Sequence, residues 1–250
     1  MKREKEAFLE ALAGLHAEAL SACPGWTAHD VLAHVVAGGT EIVELVQARI
    51  DGQRVPATRG FEEREQPFRE LPDPELRRIL ENTEVLENTL RTAIDQHPQA
   101  TIPFTEMDLT PIELLVHARS ELAIHRWDLT GHDEVGTELM QDPGLTSHAV
   151  KVLDGMKVLN EWINHRAQRA GISNDDDFEV VLRIPEGDDV MISYNNGHAS
   201  LNMAEGQGTG PCIESNSADR LLMLWGRRPR SARSYLDATD LRRCGALLFA

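Results

Sequence analysis

Up to about residue 170 the apolar positions recur every three or four residues, the period of a helix with one buried face. Beyond Phe178 they alternate in short runs instead. The first pattern predicts helices over residues 3–21, 28–50, 74–96 and 111–129, and another at about 143–170. "CPGW" reads as a turn before the second helix, and "HPQATIPFTEMDL" as a crossover before the fourth. The polar, Pro-bearing stretch 51–73 is long for a connection and is expected to cover something. In the second pattern "FEVVLRI", "DVMISYN" and "ASLNMA" predict strands separated by Gly, Asp and Asn. "SADRLLMLWGRR" predicts a helix, and "ATDLRRCGALLF" closes the chain. The expected class is α+β: a four-helix bundle over residues 1–140, then a smaller α+β domain over 141–250.

Two of the helices start alike. Thr27 precedes Asp30 by three residues and Thr110 precedes Glu113 by three, the spacing of a capping box. Trp26 with Val31, and Leu109 with Leu114, occupy the positions of a hydrophobic staple. Pro111 sits at the first helical position, where its missing N–H costs nothing. These devices set helix geometry rather than chemistry.

The fourth helix carries an unusual stripe. At about 100° per residue, Ile112, Val116, Ala123 and Trp127 share one arc, and Leu114, Leu115, Ala118, Leu122 and Leu129 another. His117, Glu121, His125 and Asp128 fill the gap between them. Arg119 and Arg126 lie almost opposite Glu121 and are the expected water-facing edge, so the polar ladder is expected to point inward. An unpaired buried carboxylate is costly, and buried charges are paired or metal-bound. Glu with His four residues away resembles half of a bundle metal site. His34 is the best third donor, followed by Gly38 and Gly39, which weaken the helix and make more sense where the backbone leaves room for a ligand. The plain alternative is a surface pair worth about 0.2–0.5 kcal/mol. Spacing does not choose between His117 and His125.

The net charge of −16 over 250 residues argues against binding a phosphate backbone. The N-terminus mixes acids and bases, unlike a signal peptide, and no apolar run is expected to span a membrane. Cys23, Cys212 and Cys244 are an odd set without zinc-knuckle spacing, which favours a reduced, cytoplasmic setting. A Cys23–His29 nucleophile pair is conceivable, but His29 lies about 140° around the helix from His34; Cys23 reads better as a packed turn residue. No serine triad, Gly-rich phosphate loop or HExxH motif occurs.

"CPGWTAHDVLAHV" and "ELAIHRWDL" resemble the two characteristic segments of mycothiol-dependent maleylpyruvate isomerase-like proteins, a family of DinB-like metal-binding four-helix bundles. "ADRLLMLWGRRP" is similar to the closing motif of that family's C-terminal domain, whose fold is like that of sterol-carrier proteins. The resemblance implies Zn²⁺, or another divalent metal, on His34, Glu121 and His125, which leaves His117 as a neighbouring or packing residue. It also implies an active-site arginine at Arg227, with Arg228 as the fallback. The implied thiol cofactor is mycothiol, whose metal-activated sulfur adds to a small electrophile. If the adduct rotates and expels the thiol, the outcome is cis–trans isomerisation; if the thiol stays, it is S-transfer. Two other readings remain, a hydrolase using metal-bound water and a non-catalytic module holding a lipid or other hydrophobic ligand. Residues 51–73 and the tail after Pro229 match no motif, so the substrate pocket stays open.

Overall fold

The helical period of the first half becomes α1 (Lys2–Ala13), α2 (Ala28–Ile50), α3 (Phe61–Arg69), α4 (Asp73–Glu81) and α5 (Glu84–Gln96), then strands β1 (Ile102–Phe104) and β2 (Met107–Leu109), then α6 (Pro111–Thr130). These elements come from a computed structural model that describes residues 1–82, 84–206, 208 and 210–249, the side chains of 158–160 aside. The chain divides into two compact units, Met1–Gly136 and Thr137–Ala250.

Several expected elements take a different form. The first helix stops at Ala13 with Gly14 as its cap, and the returning chain bridges Leu20 to Thr27. The single helix expected over 74–96 is interrupted at Asn82, a residue whose side chain competes for backbone partners; Thr83, next to it, lies outside the described residues. The crossover is a hairpin with a two-residue turn, Thr105 and Glu106, at φ 44° and 65°. Such a turn normally advertises itself with Asn-Gly or Asp-Gly. Here two side-chain-bearing residues occupy the left-handed region, so the sequence carried no signal.

α2 is the spine of the first unit and packs against α3, α4, α5, α6 and β1. Its first half joins Val31, Leu32, Val35 and Val36 to Phe8, Leu12, Leu76, Leu80 and Leu122. Its second half joins Ile42, Leu45 and Val46 to Leu90, Phe104, Leu109 and Leu114. α2 is in fact long and apolar enough, by length and composition, to cross a membrane, contrary to the sequence expectation. Polar interruptions such as His34, Thr40 and Glu41 hide this from a search for unbroken apolar runs. In the structure it is a packed core helix, and Glu41 on it is buried against Arg64 (3.3 Å) and Arg59 (3.2 Å).

α6 has no single water-facing edge, which corrects the expectation for Arg119 and Arg126. Arg119 Nε donates to Glu4 Oε1 at 2.7 Å, tying α6 to α1. Arg126 is buried and grips the Asp133 carboxylate with two contacts, at 2.8 and 2.7 Å. Ile112, placed on an apolar arc, is exposed instead. The helical wheel misleads because α6 is enclosed by α1, α2 and α5 rather than resting one face on a core.

The second unit carries α7 (Glu134–Leu139) across the division, α8 (Pro143–Gly155), α9 (Lys157–Arg169), β3 (Phe178–Arg183), β4 (Asp189–Asn195), β5 (His198–Ala204), β6 (Cys212–Glu214), α10 (Ser217–Leu224), β7 (Arg233–Ser234) and α11 (Ala238–Leu248). Its sheet runs β5-β4-β3-β6-β7, with only β3 and β6 parallel. Asn196-Gly197, both at positive φ, close the β4–β5 hairpin as a left-handed turn requires. The helix expected over 143–170 is two, because Met156 after Gly155 is extended at ψ 114°.

One contact holds α2 to the α3–α4 junction and gives a pH signature. His29 Nδ1 meets Asp73 Oδ1 at 2.5 Å, and His29 Nε2 meets the Arg69 carbonyl at 2.9 Å. A carboxylate and a carbonyl only accept, so the ring donates from both nitrogens and is cationic. Burial opposes that charge, but Asp73 and the carbonyl raise the His29 pKa above its ordinary 6.5. The stabilisation is therefore full below that ordinary value and is lost as pH rises through the raised folded value. The urea midpoint of the wild type is expected to fall over that rise by more than the midpoint of His29→Gln; equal falls would refute the clasp.

Candidate metal centre

The capping boxes anticipated at Thr27 and Thr110 both form, each threonine accepting from the third backbone N–H and each acid returning to the cap. They fix where α2 and α6 begin, and so which residues of the two helices face each other. His34 of α2 and Glu121 of α6 meet at 2.9 Å, Nε2 to Oε2. His125, one turn further along α6, brings its Nε2 to 3.5 Å from the same oxygen. The two imidazoles lie edge to face at 4.8 Å between centroids. The donor atoms of His34, Glu121 and His125 all lie within 4.8 Å of one another.

What holds these rings in place is at their other edges. His34 Nδ1 contacts Glu65 Oε1 at 2.7 Å, and His125 Nδ1 contacts Asp128 Oδ2 at 2.9 Å. Each carboxylate accepts a hydrogen bond from Nδ1–H, with Nε2 turned towards Glu121, the arrangement that orients metal-ligating histidines. Glu65 is itself buried and receives Arg64 Nη2 at 3.3 Å and Arg69 Nη2 at 2.9 Å. Trp26 closes one side, stacked over His125 at 6.2 Å and tilted against His34 at 5.1 Å.

The electrostatics follow from these contacts. Burial alone would raise the Glu121 pKa, but hydrogen bonds from His125 and His34 hold it well below the ordinary carboxylate range. Burial alone would strip the proton from His125; Asp128, Cys23 and Glu121 outweigh it and hold that pKa well above ordinary histidine. Glu65 is likewise lowered against its burial, chiefly by His34. The Glu121 side chain keeps 23% exposure, so the cluster is not sealed.

The donor set fits a divalent ion. Two imidazoles with carboxylate-held Nδ1 atoms plus one carboxylate match in type and number the three protein ligands that open zinc sites use. Metal–ligand lengths of about 2.0–2.2 Å in a tetrahedron put donors about 3.3–3.6 Å apart. Of the two contacts to Glu121, 3.5 Å falls within that range and 2.9 Å lies just below it.

His117 does not join this set. It sits edge-on to Phe104 at 5.0 Å, and burial lowers its pKa. A Cβ built on Gly38, one turn after His34, meets nothing within 4 Å, whereas on Gly39 it meets Leu86 Cδ2 at 3.5 Å. Gly38 thus leaves room beside the histidine, and Gly39 admits α5. Cys23 and His29 do not pair: Cys23 turns to Asp128 and His125, His29 to Asp73 and the Arg69 carbonyl. In the second unit, Gly226 at φ 77° ends α10 in a Schellman motif, with Arg227 N bonded to Leu222 O at 2.8 Å. The Arg227 guanidinium donates to the Trp225 carbonyl at 2.7 Å, a helix-capping contact, and Arg228 is exposed.

Glu65 and Trp26 are the cluster members whose roles sequence reasoning missed. Glu65 lies in the expected connection, where "FEEREQPFRE" shows charge but no apolar period; α3 forms there and covers His34. Trp26 was assigned only to a staple.

Residues 2–130 match the family model described as the mycothiol maleylpyruvate isomerase N-terminal domain. No curated protein matches the chain. Among solved structures, a crystal structure of the mycothiol-dependent maleylpyruvate isomerase is similar at TM-score 0.61 and 16% identity, covering 94% of this chain and 89% of that one. A histidine-to-alanine variant of that enzyme gives a TM-score of 0.60 at 16% identity and the same coverage. At such identity the likeness is one of fold.

The charge on His125 is open to direct measurement. In chelator-treated protein, NMR titration is expected to show a second histidine, besides His29, holding its proton well above the ordinary range, and Asp128→Asn to lower that second titration. An unchanged titration in the variant would mean that Asp128 does not hold the ring.

Proposed function

The chain belongs to the family of the mycothiol maleylpyruvate isomerase N-terminal domain, and on that premise we propose that it is a metal- and thiol-dependent enzyme acting on a small electrophile. In this reading His34, Glu121 and His125 hold a zinc ion or similar dication, and mycothiol is the thiol. The observation that carries the reading is the convergence of two Nε2 atoms on Glu121 with both Nδ1 atoms already committed to carboxylates. A bound dication with an open position lowers the pKa of a coordinated thiol enough to supply thiolate at neutral pH.

The chain's own residues prepare that chemistry. Glu65 and Asp128 set the tautomers of the two histidines, and Arg64 and Arg69 keep Glu65 ionised and in place. Trp26 shields the rings on one side, and Gly38 leaves space along α2. Arg227, or Arg228 next to it, is assigned to a carboxylate of thiol or substrate, for which a guanidinium is suited. Cis–trans isomerisation and S-transfer both draw on these same residues, and the electrophile decides between them. None of the three cysteines is in a disulfide, which suits a reducing, cytoplasmic setting. The same donor set would also serve a hydrolase through metal-bound water.

Purified protein is expected to hold stoichiometric zinc and to consume an α,β-unsaturated acid only when mycothiol is added; thiol-independent turnover would favour the hydrolase. Glu121→Ala is expected to lose both zinc and turnover, and full zinc in that variant would overturn the ligand set.

The supporting carboxylate has its own expected effect. Glu65→Gln should weaken zinc affinity on the order of 10–100-fold, the usual effect of losing such a partner. Zinc titration of the unaltered affinity in Glu65→Gln would remove α3 from the account.

A further inference from the structure

His125 has two edges, and only Nε2 faces Glu121. On the other edge, Cys23 Sγ lies 3.9 Å from His125 Nδ1 and donates to Asp128 Oδ2 at 3.1 Å, while Nδ1 is 2.9 Å from the same oxygen. These three donor atoms also lie within 4.8 Å of one another. We propose that Cys23, Asp128 and the Nδ1 edge of His125 form a second metal seat, selective for soft divalent ions such as Cd²⁺, that competes with the first donor set for the His125 ring.

The arrangement is built into the backbone. The Ala22 N–H donates to the Asp128 carbonyl at 2.7 Å, which pins the turn before α2 to the last turn of α6. Within the turn, Trp26 N bonds Cys23 O at 3.0 Å, and Cys23 N bonds Ser21 Oγ at 3.2 Å. The thiol is therefore delivered to Asp128 by main-chain bonds on both sides. With lengths of about 2.3 Å to sulfur and about 2.0–2.2 Å to nitrogen or oxygen, a tetrahedral ion needs donor separations of about 3.3–3.7 Å. The observed 2.9, 3.1 and 3.9 Å surround that range.

Donor type separates the two seats. The first offers one carboxylate and no sulfur; the second offers a carboxylate and a thiolate, so it carries one more negative charge. Thiolate selects soft ions, whereas imidazole and carboxylate suit zinc. Among the three cysteines only Cys23 is half-exposed; Cys212 and Cys244 are buried, and burial pushes the Cys244 thiol up to about 12. An incoming ion thus finds one reachable thiol, already bonded to a fully buried carboxylate.

Competition follows from proton placement. Binding at the second seat sends the Cys23 thiol proton and the His125 Nδ1 proton to solvent, and frees Asp128 Oδ2 to take the ion. Where an ion held Nε2, its departure lets Nε2 take up a proton from solvent, and the neutral ring, protonated there, cannot ligate beside Glu121. An ion at Nε2 conversely leaves the proton on Nδ1, donated to Asp128.

The test is Cd²⁺ titration of the full-length protein, read by the sulfur-to-metal charge-transfer band and by release of bound zinc to a chelating dye. Wild type is expected to develop the band with loss of zinc in step. Cys23→Ser should show no band and retain its zinc at Cd²⁺ levels that empty the wild type. Glu121→Ala should keep the band although it binds no zinc, which separates this seat from the proposed catalytic one. A band that persists in Cys23→Ser, disappears in Glu121→Ala, or grows without zinc release would overturn the proposal.

Discussion

Two histidines converge on one carboxylate only if the far edge of each ring is held. An imidazole rotates easily and has two nitrogens to offer, so without a fixed Nδ1 the direction of Nε2 is undefined. Here the restraints are Glu65 on His34 and Asp128 on His125. Asp128 lies on α6 three residues from its histidine, whereas Glu65 arrives on a separate helix, α3, that must be docked to α2.

Docking α3 explains a buried charge network that stability alone does not. Glu41, Arg64 and Glu65 are nearly inaccessible, and Arg64 sits between the two acids at 3.3 Å from each. Desolvating such groups costs as much as their attraction returns, and well-packed apolar residues would often be at least as stable; breaking one pair still costs about 3–5 kcal/mol. What the network supplies is position. Arg64 anchors α3 to α2 through Glu41, and Arg69 spans one turn to fix the second oxygen of Glu65 while lying over Trp26 at 5.6 Å. His29, through Asp73 and the Arg69 carbonyl, secures the far end of the same helix.

How much of this was legible in the sequence depended on whether the signal was local. The caps at Thr27 and Thr110 are local chemistry over four residues, and both formed as read. Glu121 and His125 stand out as part of a polar stripe on an otherwise apolar α6, whereas His34 on α2 is fixed as their partner, and His117 drops out, only through the family resemblance; the structure brings the donor atoms of His34, Glu121 and His125 within 4.8 Å of one another. Arg126 was misread because a helical wheel assumes one buried side, while α6 is surrounded and solves the problem with Asp133. Glu65 was illegible for a different reason: α3 has almost no apolar period of its own and is ordered by ion pairs to residues distant in sequence. The Thr105–Glu106 turn was hidden because its residues are not those that ordinarily adopt positive φ.

The asymmetry between the two supporting carboxylates has a chemical consequence. Glu65 is held by two guanidiniums, which remain charged at any physiological pH, so the tautomer of His34 is fixed. Asp128 shares its Oδ2 between His125 and the Cys23 thiol, and a thiol can ionise, be oxidised or take up a metal. The His34 side of the cluster is therefore rigid and the His125 side chemically adjustable. A change at Cys23 alters what Asp128 offers to His125, the ring whose other edge faces Glu121.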